Sequence, residues 1–416
     1  MVKWKGGLTN ILKTINLKRV LSMLETWRWF DQKDPISLKK IAQAGAKGIV
    51  SSLNEIPTGE VWPLDNLLSR KAVIEQANLE WTVIESIPVH NDIKTRKGNY
   101  QALIENYKLS IINAGKAGIK VVCYNFMPVV DWTRTNLDFL LENTGSALRF
   151  DMVDFVAYDI FILERDNAEN DYSKELIEQA RQYFKSMNET QVRLLESNII
   201  AGLPGGEGSY TRDSIKAAIA EFIELGEEGM RENLIAFLSE IIPVAETAGV
   251  NLCVHPDDPP FSLFGLPRVV STQEDVRKIL NAVNSPSNGL TLCAGSFGAR
   301  EDNNLVEMVK EFGSKIYFVH LRNVIREANG SFYEAEHLDG DNDMVGLIDA
   351  LLTEESRRKA LGDLSVIPMR PDHGHLLDDE ADQPNVKPGY SYLGRLKGLA
   401  ELRGVIHAIS HIKQIN

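Results

Sequence analysis

Cysteine, net positive charge and long apolar runs are all scarce in this sequence. Cys123, Cys253 and Cys293 are the only cysteines in 416 residues, and an odd set of three cannot form a disulfide framework, so we expect a cytoplasmic chain. No apolar run approaches the roughly 18 residues of a membrane-spanning helix, so we expect no membrane association. The formal net charge of −13 argues against a nucleic-acid partner, which needs a basic face, and favours a small-molecule ligand.

What the sequence does contain can fill one large core. The 416 residues are 44% hydrophobic, enough for one or two domains. Residues 1–22 differ from the rest because they carry basic but no acidic side chains, and their apolar residues would suit a transit peptide or a membrane-surface helix. Because Met23 directly precedes the strand-like ETWRWF, we instead expect an N-terminal extension outside the fold and a single domain over residues 23–416.

Strand-like and helix-like patterns alternate along that domain. Eight apolar runs have the length and composition of buried strands, and helical stretches lie between them, several ending on glycine. The runs cover 26–30, 48–53, 81–88, 121–128, 251–258, 290–297, 315–323 and 364–371. Eight such units predict an α/β fold of the TIM (β/α)8 barrel type. A doubly wound sheet is the alternative, but it would not easily bring four successive strand ends to one point.

One interval is much longer than the others. After the fourth strand, about 100 residues at roughly 129–229 are rich in acids and helix formers, and we interpret them as a helical insertion above the barrel mouth. We expect it to act as a lid or an oligomer contact, with a homodimer as the default assembly. Its LPGGEG segment (203–208) lacks the GK[ST] ending of a phosphate-binding loop and is predicted to be a turn.

Four side chains of metal-ligand type occur at the ends of the last four predicted strands. They are His255, Cys293, His320 and Asp372. Each alone would more often be an ordinary buried residue. Their spacing is too wide for a zinc finger, but it matches one strand and helix per interval, so a barrel would gather them on one rim. The mixed nitrogen, sulfur and oxygen set suits a divalent transition metal, and the thiolate favours ferrous iron, zinc or cobalt.

A series of ordered motifs resembles one known family. TWRWF followed by DPISLKKIAQAG, then HPDDPPFSLFGLPRVV, CAGSFG, HLRN and MRPDHGH followed by KPGY, are similar to mannonate dehydratase from about residue 25 to the end. The resemblance implies a TIM-type barrel that binds Mn²⁺ or Fe²⁺. It also implies dehydration of D-mannonate to 2-dehydro-3-deoxy-D-gluconate in hexuronate (glucuronate) catabolism.

The resemblance also assigns roles to residues. It places the family's metal ligands on His255, Cys293, His320 and Asp372. It places the reactive pair on His373 and, through the PGY match, on Tyr390, with the nearby Tyr392 as an alternative. Such a pair would serve as general acid and base, and either residue could take the C2 proton.

Several other polar residues are candidates for substrate binding. Arg28 and Arg322 could bind the substrate carboxylate through two hydrogen bonds. His90 and Asn125 follow the third and fourth strands and could bind sugar hydroxyls. Asp257 could contribute to the same site, by orienting His255 with Asp258, or could cap the following turn.

Two other functions remain open. A sugar isomerase or epimerase of similar barrel would usually have a carboxylate-rich metal site, whereas the strand ends here offer histidine and cysteine. A non-catalytic sugar-acid binding protein would not need His373 and Tyr390. The product formed from D-mannonate would distinguish both from a dehydratase.

Overall fold

The computed structural model describes residues 23–200, 210–383 and 385–413, in which eight parallel strands close into a barrel. Each predicted run overlaps one of these strands, so the TIM-barrel prediction is confirmed and the doubly wound alternative is wrong. Around the barrel the strands are β1 Leu24–Arg28, β2 Gly48–Ser51, β3 Glu80–Glu85, β4 Val121–Tyr124, β7 Asn251–Val254, β8 Asn288–Cys293, β9 Ile316–His320 and β12 Pro368–Arg370. The predicted N-terminal extension and the LPGGEG turn lie outside the described residues.

Helices surround the barrel, and their ends follow from local sequence. Thr272 and Asp275 form a reciprocal capping box at the start of helix Gln273–Ala282, and Gly249 ends helix Arg212–Ala248 in the left-handed conformation, with φ 66°. The helices are α1 Leu38–Ala44, α2 Leu64–Gln76, α3 Asn91–Thr95, α4 Tyr100–Lys116, α5 Met152–Ala157, α6 Lys174–Ser186, α7 Glu189–Ile200, α8 Arg212–Ala248, α9 Gln273–Ala282, α10 Ala294–Phe297, α11 Leu305–Phe312, α12 Met344–Ala360 and α13 Tyr392–Ile412.

The long interval after β4 is only partly helical, which corrects the predicted helical insertion. It begins with an antiparallel hairpin, β5 Asn136–Leu140 and β6 Ser146–Phe150. A second hairpin, β10 Val324–Arg326 and β11 Phe332–Glu334, follows β9 and pairs with β6. The four strands form a separate antiparallel sheet in the order β10, β11, β6, β5, which we call the second sheet. Strands this short give a weak alternation signal beside the stronger helical segments that follow them.

The insertion ends within α8. Gly226 has non-helical angles, with φ 70° and ψ 174°, so α8 consists of two helices that meet at this residue. The second half precedes β7 and occupies the place of the barrel helix between β4 and β7. The predicted boundary near residue 229 therefore lies close to the kink.

The barrel interior is filled by small and medium side chains below the rim. Val50, Val83, Cys123, Cys253 and Phe318 form one fully buried cluster from five of the strands. Cys253 thus packs in the interior, as its position two residues before His255 predicts. Within the described parts of the chain, no helix is long and apolar enough to cross a membrane.

Candidate metal centre and active site

The four predicted metal ligands meet at the carboxyl end of the barrel. Cys293 and His320 are the last residues of β8 and β9 and are register partners. His255 directly follows β7, and Asp372 lies two residues beyond β12, at φ 68°. Because these four strands are neighbours around the barrel, their ends deliver the side chains to one side of its mouth.

Three of the four side chains lie at the distances of a ligand cluster, and Asp372 lies beside them. His255 Nε2 lies 3.3 Å from His320 Nδ1, Asp372 Oδ2 lies 3.9 Å from His320 Nδ1, and Cys293 Sγ lies 3.8 Å from Asp372 Oδ2. The ligand atoms of the two histidines and the cysteine all lie within 4.8 Å of one another. Tetrahedral ligands bound at 2.0 to 2.3 Å are separated by about 3.3 to 3.8 Å. The cluster therefore fits a single divalent ion.

Neighbouring groups orient the ligand atoms. His255 Nδ1 lies 2.7 Å from the carbonyl oxygen of Pro256 and donates to it, which leaves the Nε2 lone pair facing the cluster. His320 Nε2 lies 3.2 Å from Glu85 Oε1, within ion-pair distance but without a hydrogen bond to the described residues. A carbonyl partner such as that of His255 fixes the tautomer of a metal-binding histidine. The donor set and its supports suit a transition metal.

His255 and Asp372 of the cluster line a cavity that encloses about 750 Å³, open solvent at its mouth included. Polar groups from most barrel strands and from the loops above them line it. They include Arg28, Ser52, Asn54, Glu85, Asn125, Asp131, Trp132, His255, Asp258, Arg322, Arg370, Asp372, His373 and Tyr390. A concave, largely pre-formed site with several convergent polar groups is the usual form of a small-molecule site.

The predicted acid/base pair lies in the same cavity. The rings of His373 and Tyr390 meet edge to face, with centroids 4.9 Å apart, and the ring of Phe30 packs against Tyr390 at 4.9 Å. Burial raises the pKa of the Tyr390 phenol, although Arg370 opposes the shift. Tyr392, the alternative to Tyr390, points elsewhere and donates to the carbonyl oxygen of Lys40 at 3.2 Å. The geometry therefore favours Tyr390.

The two predicted arginines occupy different environments. Arg322 is surrounded by acceptors, with Asp258 Oδ2 at 2.6 Å, Glu334 Oε1 at 2.8 Å and Asp372 Oδ2 at 3.3 Å. Arg28 lies 3.8 Å from Glu85 Oε2, and its buried Nη1 makes no hydrogen bond to the described residues. Arg28 is thus free to bind an anion, whereas Arg322 is held in place by carboxylates.

Of the other three predicted substrate-binding residues, one lines the cavity and two do not. Asn125 lines the cavity, but His90 is not among the described residues that line it. The His90 ring instead accepts from the backbone N–H of Asp92 at 3.0 Å and caps α3. Asp257 is fully buried in its own loop, where it accepts from Val270 N at 2.9 Å, while its neighbour Asp258 reaches the cavity. The structure therefore does not bring His90 or Asp257 to the site.

Sequence reasoning missed several charged residues of the cavity and its wall. Glu85 ends β3 and Arg370 ends β12, so the strand-end criterion could have found both. Arg134 and Glu334 belong to the insertion and the second sheet, for which the barrel pattern carries no signal. Arg134 is fully buried and contacts Asp258 Oδ1 at 2.7 Å and Glu334 Oε1 at 3.3 Å.

Arginines keep the buried carboxylates of the site ionised. Burial alone would raise their pKa values, but Arg134 and Arg322 hold the pKa of Asp258 well below its usual range. His373 and the same two arginines lower the pKa of Glu334 to about 2. Buried charges are tolerated when they are paired in this way. The site is thus a pre-organised network of charges around the ligand cluster.

A closed barrel that gathers metal-ligating and titratable side chains in a buried cavity at its carboxyl end defines an enzyme of the TIM-barrel class. The model of the D-mannonate dehydratase (UxuA) family matches residues 23–416, and the chain belongs to this family.

Individual relatives agree with the family. The chain is 68% identical over 393 residues to mannonate dehydratase of Saccharophagus degradans, covering 94% of this chain and 99% of that protein. It is 57% identical over 387 residues to mannonate dehydratase 2 of Agrobacterium fabrum, covering 93% and 97%. The crystal structure of mannonate dehydratase from Streptococcus suis serotype 2 is similar, with a TM-score of 0.75, 35% identity and coverage of 94% and 96%.

Proposed function

We propose that this chain dehydrates D-mannonate to 2-dehydro-3-deoxy-D-gluconate, with one divalent metal ion held by four side chains of the barrel rim. These are His255, Cys293, His320 and Asp372. The observation that carries the proposal is that one cavity is lined by His255 and Asp372 of this cluster and by the His373–Tyr390 pair, in a chain of the D-mannonate dehydratase family.

The reaction needs help at two carbon atoms. The proton on C2 is poorly acidic because it lies beside a carboxylate, and the hydroxyl on C3 is a poor leaving group. A bound divalent ion supplies Lewis-acid stabilisation of the negative charge that develops. The side chains then move the protons: one group takes the C2 proton, another protonates the departing C3 hydroxyl, and the resulting enol becomes the 2-keto product.

His373 and Tyr390 are suited to these two proton transfers. His373 Nδ1 is occupied by Glu334 at 2.7 Å, so Nε2 is the nitrogen left to accept the C2 proton. Burial raises the pKa of Tyr390, so the phenol keeps its proton and can donate it to the leaving hydroxyl. A positioned acid and base typically contribute about 10² to 10⁴-fold each.

Polar residues that line the cavity are proposed to bind the substrate. Arg28, whose buried Nη1 makes no hydrogen bond to the described residues, is the best placed cation for the substrate carboxylate. Asn125 lines the same cavity and can bind a sugar hydroxyl. Arg322 is not needed for the substrate carboxylate, because three carboxylates of the protein already surround its guanidinium. Its proposed role is to hold those carboxylates in place.

The native metal, location and assembly are part of the proposal. Among the expected ions, Mn²⁺ and Fe²⁺ remain the candidates, and the thiolate of Cys293 favours Fe²⁺ by affinity. Reconstituting the metal-free protein with each ion and comparing turnover would separate them.

The proposed location and assembly are a cytoplasmic homodimer. The three buried free thiols are compatible with a cytoplasmic location. Light scattering in solution would test the dimer.

The decisive experiment is the product formed from D-mannonate. Metal-loaded protein should yield a 2-keto-3-deoxy acid, detectable by a colorimetric assay and by mass loss of one water. An isomeric product would instead support the isomerase, and no product would support the binding protein. His373→Asn should retain metal but lose turnover, while His411→Asn, on the exposed face of α13, should behave as wild type. Near-normal activity of His373→Asn would refute the proposed role.

A further inference from the structure

We propose that Glu334, the last residue of the second sheet's strand β11, is the positioning residue for His373. This inference rests on the proposed function of His373 as a proton carrier. Glu334 and His373 are only 3% and 4% exposed, and Glu334 Oε1 lies 2.7 Å from His373 Nδ1. The pair thus has the carboxylate-to-imidazole contact that orients catalytic histidines elsewhere.

The contact fixes which nitrogen carries the proton. If Nδ1 were unprotonated, its lone pair would face the negative Glu334 oxygen at 2.7 Å, an arrangement that repels. Nδ1 therefore donates to Glu334, although Arg322 Nη1 also approaches it at 3.1 Å. With Nδ1 committed in this way, the other ring nitrogen, Nε2, is the one available for proton transfer. An isolated imidazole would not hold this tautomer or this ring orientation.

The Glu334 carboxylate is itself held by the network around it. Arg322 Nη1 donates to Oε1 at 2.8 Å and Arg134 Nη2 at 3.3 Å. The Glu334 main chain is fixed as well, because its carbonyl oxygen accepts from His375 Nε2 at 2.9 Å. Side chain and backbone of Glu334 are thus both tied to the loop that carries His373.

The second sheet therefore has a defined role. Phe332 of β11 pairs with Phe150 of β6, and the Arg134 guanidinium stacks 4.9 Å above the Phe332 ring. The insertion hairpin and the hairpin after β9 together place Glu334 beside Nδ1 of the histidine ring. On this proposal the insertion supports proton transfer through Arg134, which donates to the Glu334 carboxylate, and through β6, which pairs with β11.

Glu334→Gln tests the inference because it removes the charge and nearly keeps the shape. We expect kcat on D-mannonate to fall about 10²-fold, with KM within about threefold and metal content unchanged. Glu334→Asp keeps the charge and should recover part of the loss. The matched control is Glu327→Gln, a carboxylate of the same hairpin that binds Arg149 at 2.9 Å; it should have wild-type kcat.

A spectroscopic readout tests the tautomer directly. In protein with ¹⁵N-labelled histidine and Zn²⁺ bound, the His373 signal, identified by its loss in His373→Asn, should report a protonated Nδ1. In Glu334→Gln we expect this signature to shift toward the other tautomer or a mixture. Wild-type kcat together with an unchanged His373 spectrum in Glu334→Gln would overturn the inference. If wild-type protein forms no product from D-mannonate, the proposed function fails, while the spectrum still decides the role of Glu334.

Discussion

The two ends of the barrel treat buried charge in opposite ways. At the carboxyl end, Arg134 and Arg322 lower the pKa of Asp258, and His373 together with the same arginines lowers that of Glu334. At the amino end, Glu355 of α12 accepts from the backbone N–H of Ile367 at 2.7 Å, just before β12, and burial raises its pKa to about 7. Burial acts on all three carboxyls, but only at the carboxyl end do neighbouring cationic groups outweigh it.

Charged side chains have different roles at the two ends of the barrel. Arg358 at the amino end donates to the carbonyl oxygen of Ile316 at 2.8 Å, so there the polar side chains satisfy the backbone at strand starts. At the carboxyl end, charged groups orient one another around a cavity. Changes at the carboxyl end should therefore affect activity, and changes at the amino end should affect stability.

The largest effect is expected from removing a metal ligand. Cys293→Ala should lower metal affinity by at least about 10²-fold and abolish turnover at metal concentrations that saturate wild type. Metal analysis after dialysis and the product assay measure both. The matched control is Cys253→Ala, since Cys253 is equally buried on the neighbouring strand but packs in the interior. Equal metal content in the two variants would contradict the assignment.

Removing the phenol oxygen should have different effects on kcat at two nearby tyrosines. Tyr390→Phe should lower kcat by about 10² to 10⁴-fold, because it removes a proton carrier and little packing. Tyr392→Phe should remain within about twofold, since its hydroxyl contacts a backbone carbonyl outside the cavity. Steady-state kinetics on D-mannonate would measure this, and a larger loss in Tyr392→Phe would mean that the wrong tyrosine has been assigned.

A single methyl group should disturb the charge network. A Cβ at Gly295 would overlap Arg322 Nε, so Gly295→Ala must displace Arg322 from its three carboxylates. We expect a fall in kcat/KM of about 10-fold or more. Gly404→Ala in α13 meets nothing within 4 Å among the described atoms and should be slightly more stable, by about 0.5 to 1 kcal/mol, with normal activity. Unchanged kinetics of Gly295→Ala would argue against a rigid network.

The smallest effect on activity is expected at the amino end. Because the folded pKa of Glu355 is about 7, its stabilising protonated form is fully present below the ordinary value near 4.5 and is lost as the pH rises through 7. The free energy of unfolding of Glu355→Gln, relative to that of wild type, should therefore rise by about 1 to 3 kcal/mol between pH 5 and pH 8. Urea unfolding at several pH values measures the difference, which should not depend on pH if Glu355 ionises normally. Turnover at pH 7 should change little.

The strand-end pattern was enough to predict the barrel and the cluster on its rim. Buried parallel strands have a clear sequence signature, and the barrel's topology then determines which strand ends meet. The adjacent residues Asp257 and Asp258 were not separated correctly, because local loop geometry decides which carboxylate reaches the cavity. Glu334 could not be predicted, since it belongs to a strand whose pairing partner, β6, lies more than 180 residues earlier in the sequence.

The location of the metal ion is the most direct test of the account. Anomalous scattering from a crystal of the Mn²⁺-loaded protein should show one ion at the barrel rim. We predict about 2.0 to 2.4 Å from that ion to His255 Nε2, Cys293 Sγ, His320 Nδ1 and an Asp372 carboxylate oxygen. An ion bound elsewhere, or bound at the rim without the histidines and the thiolate, would contradict the central claim.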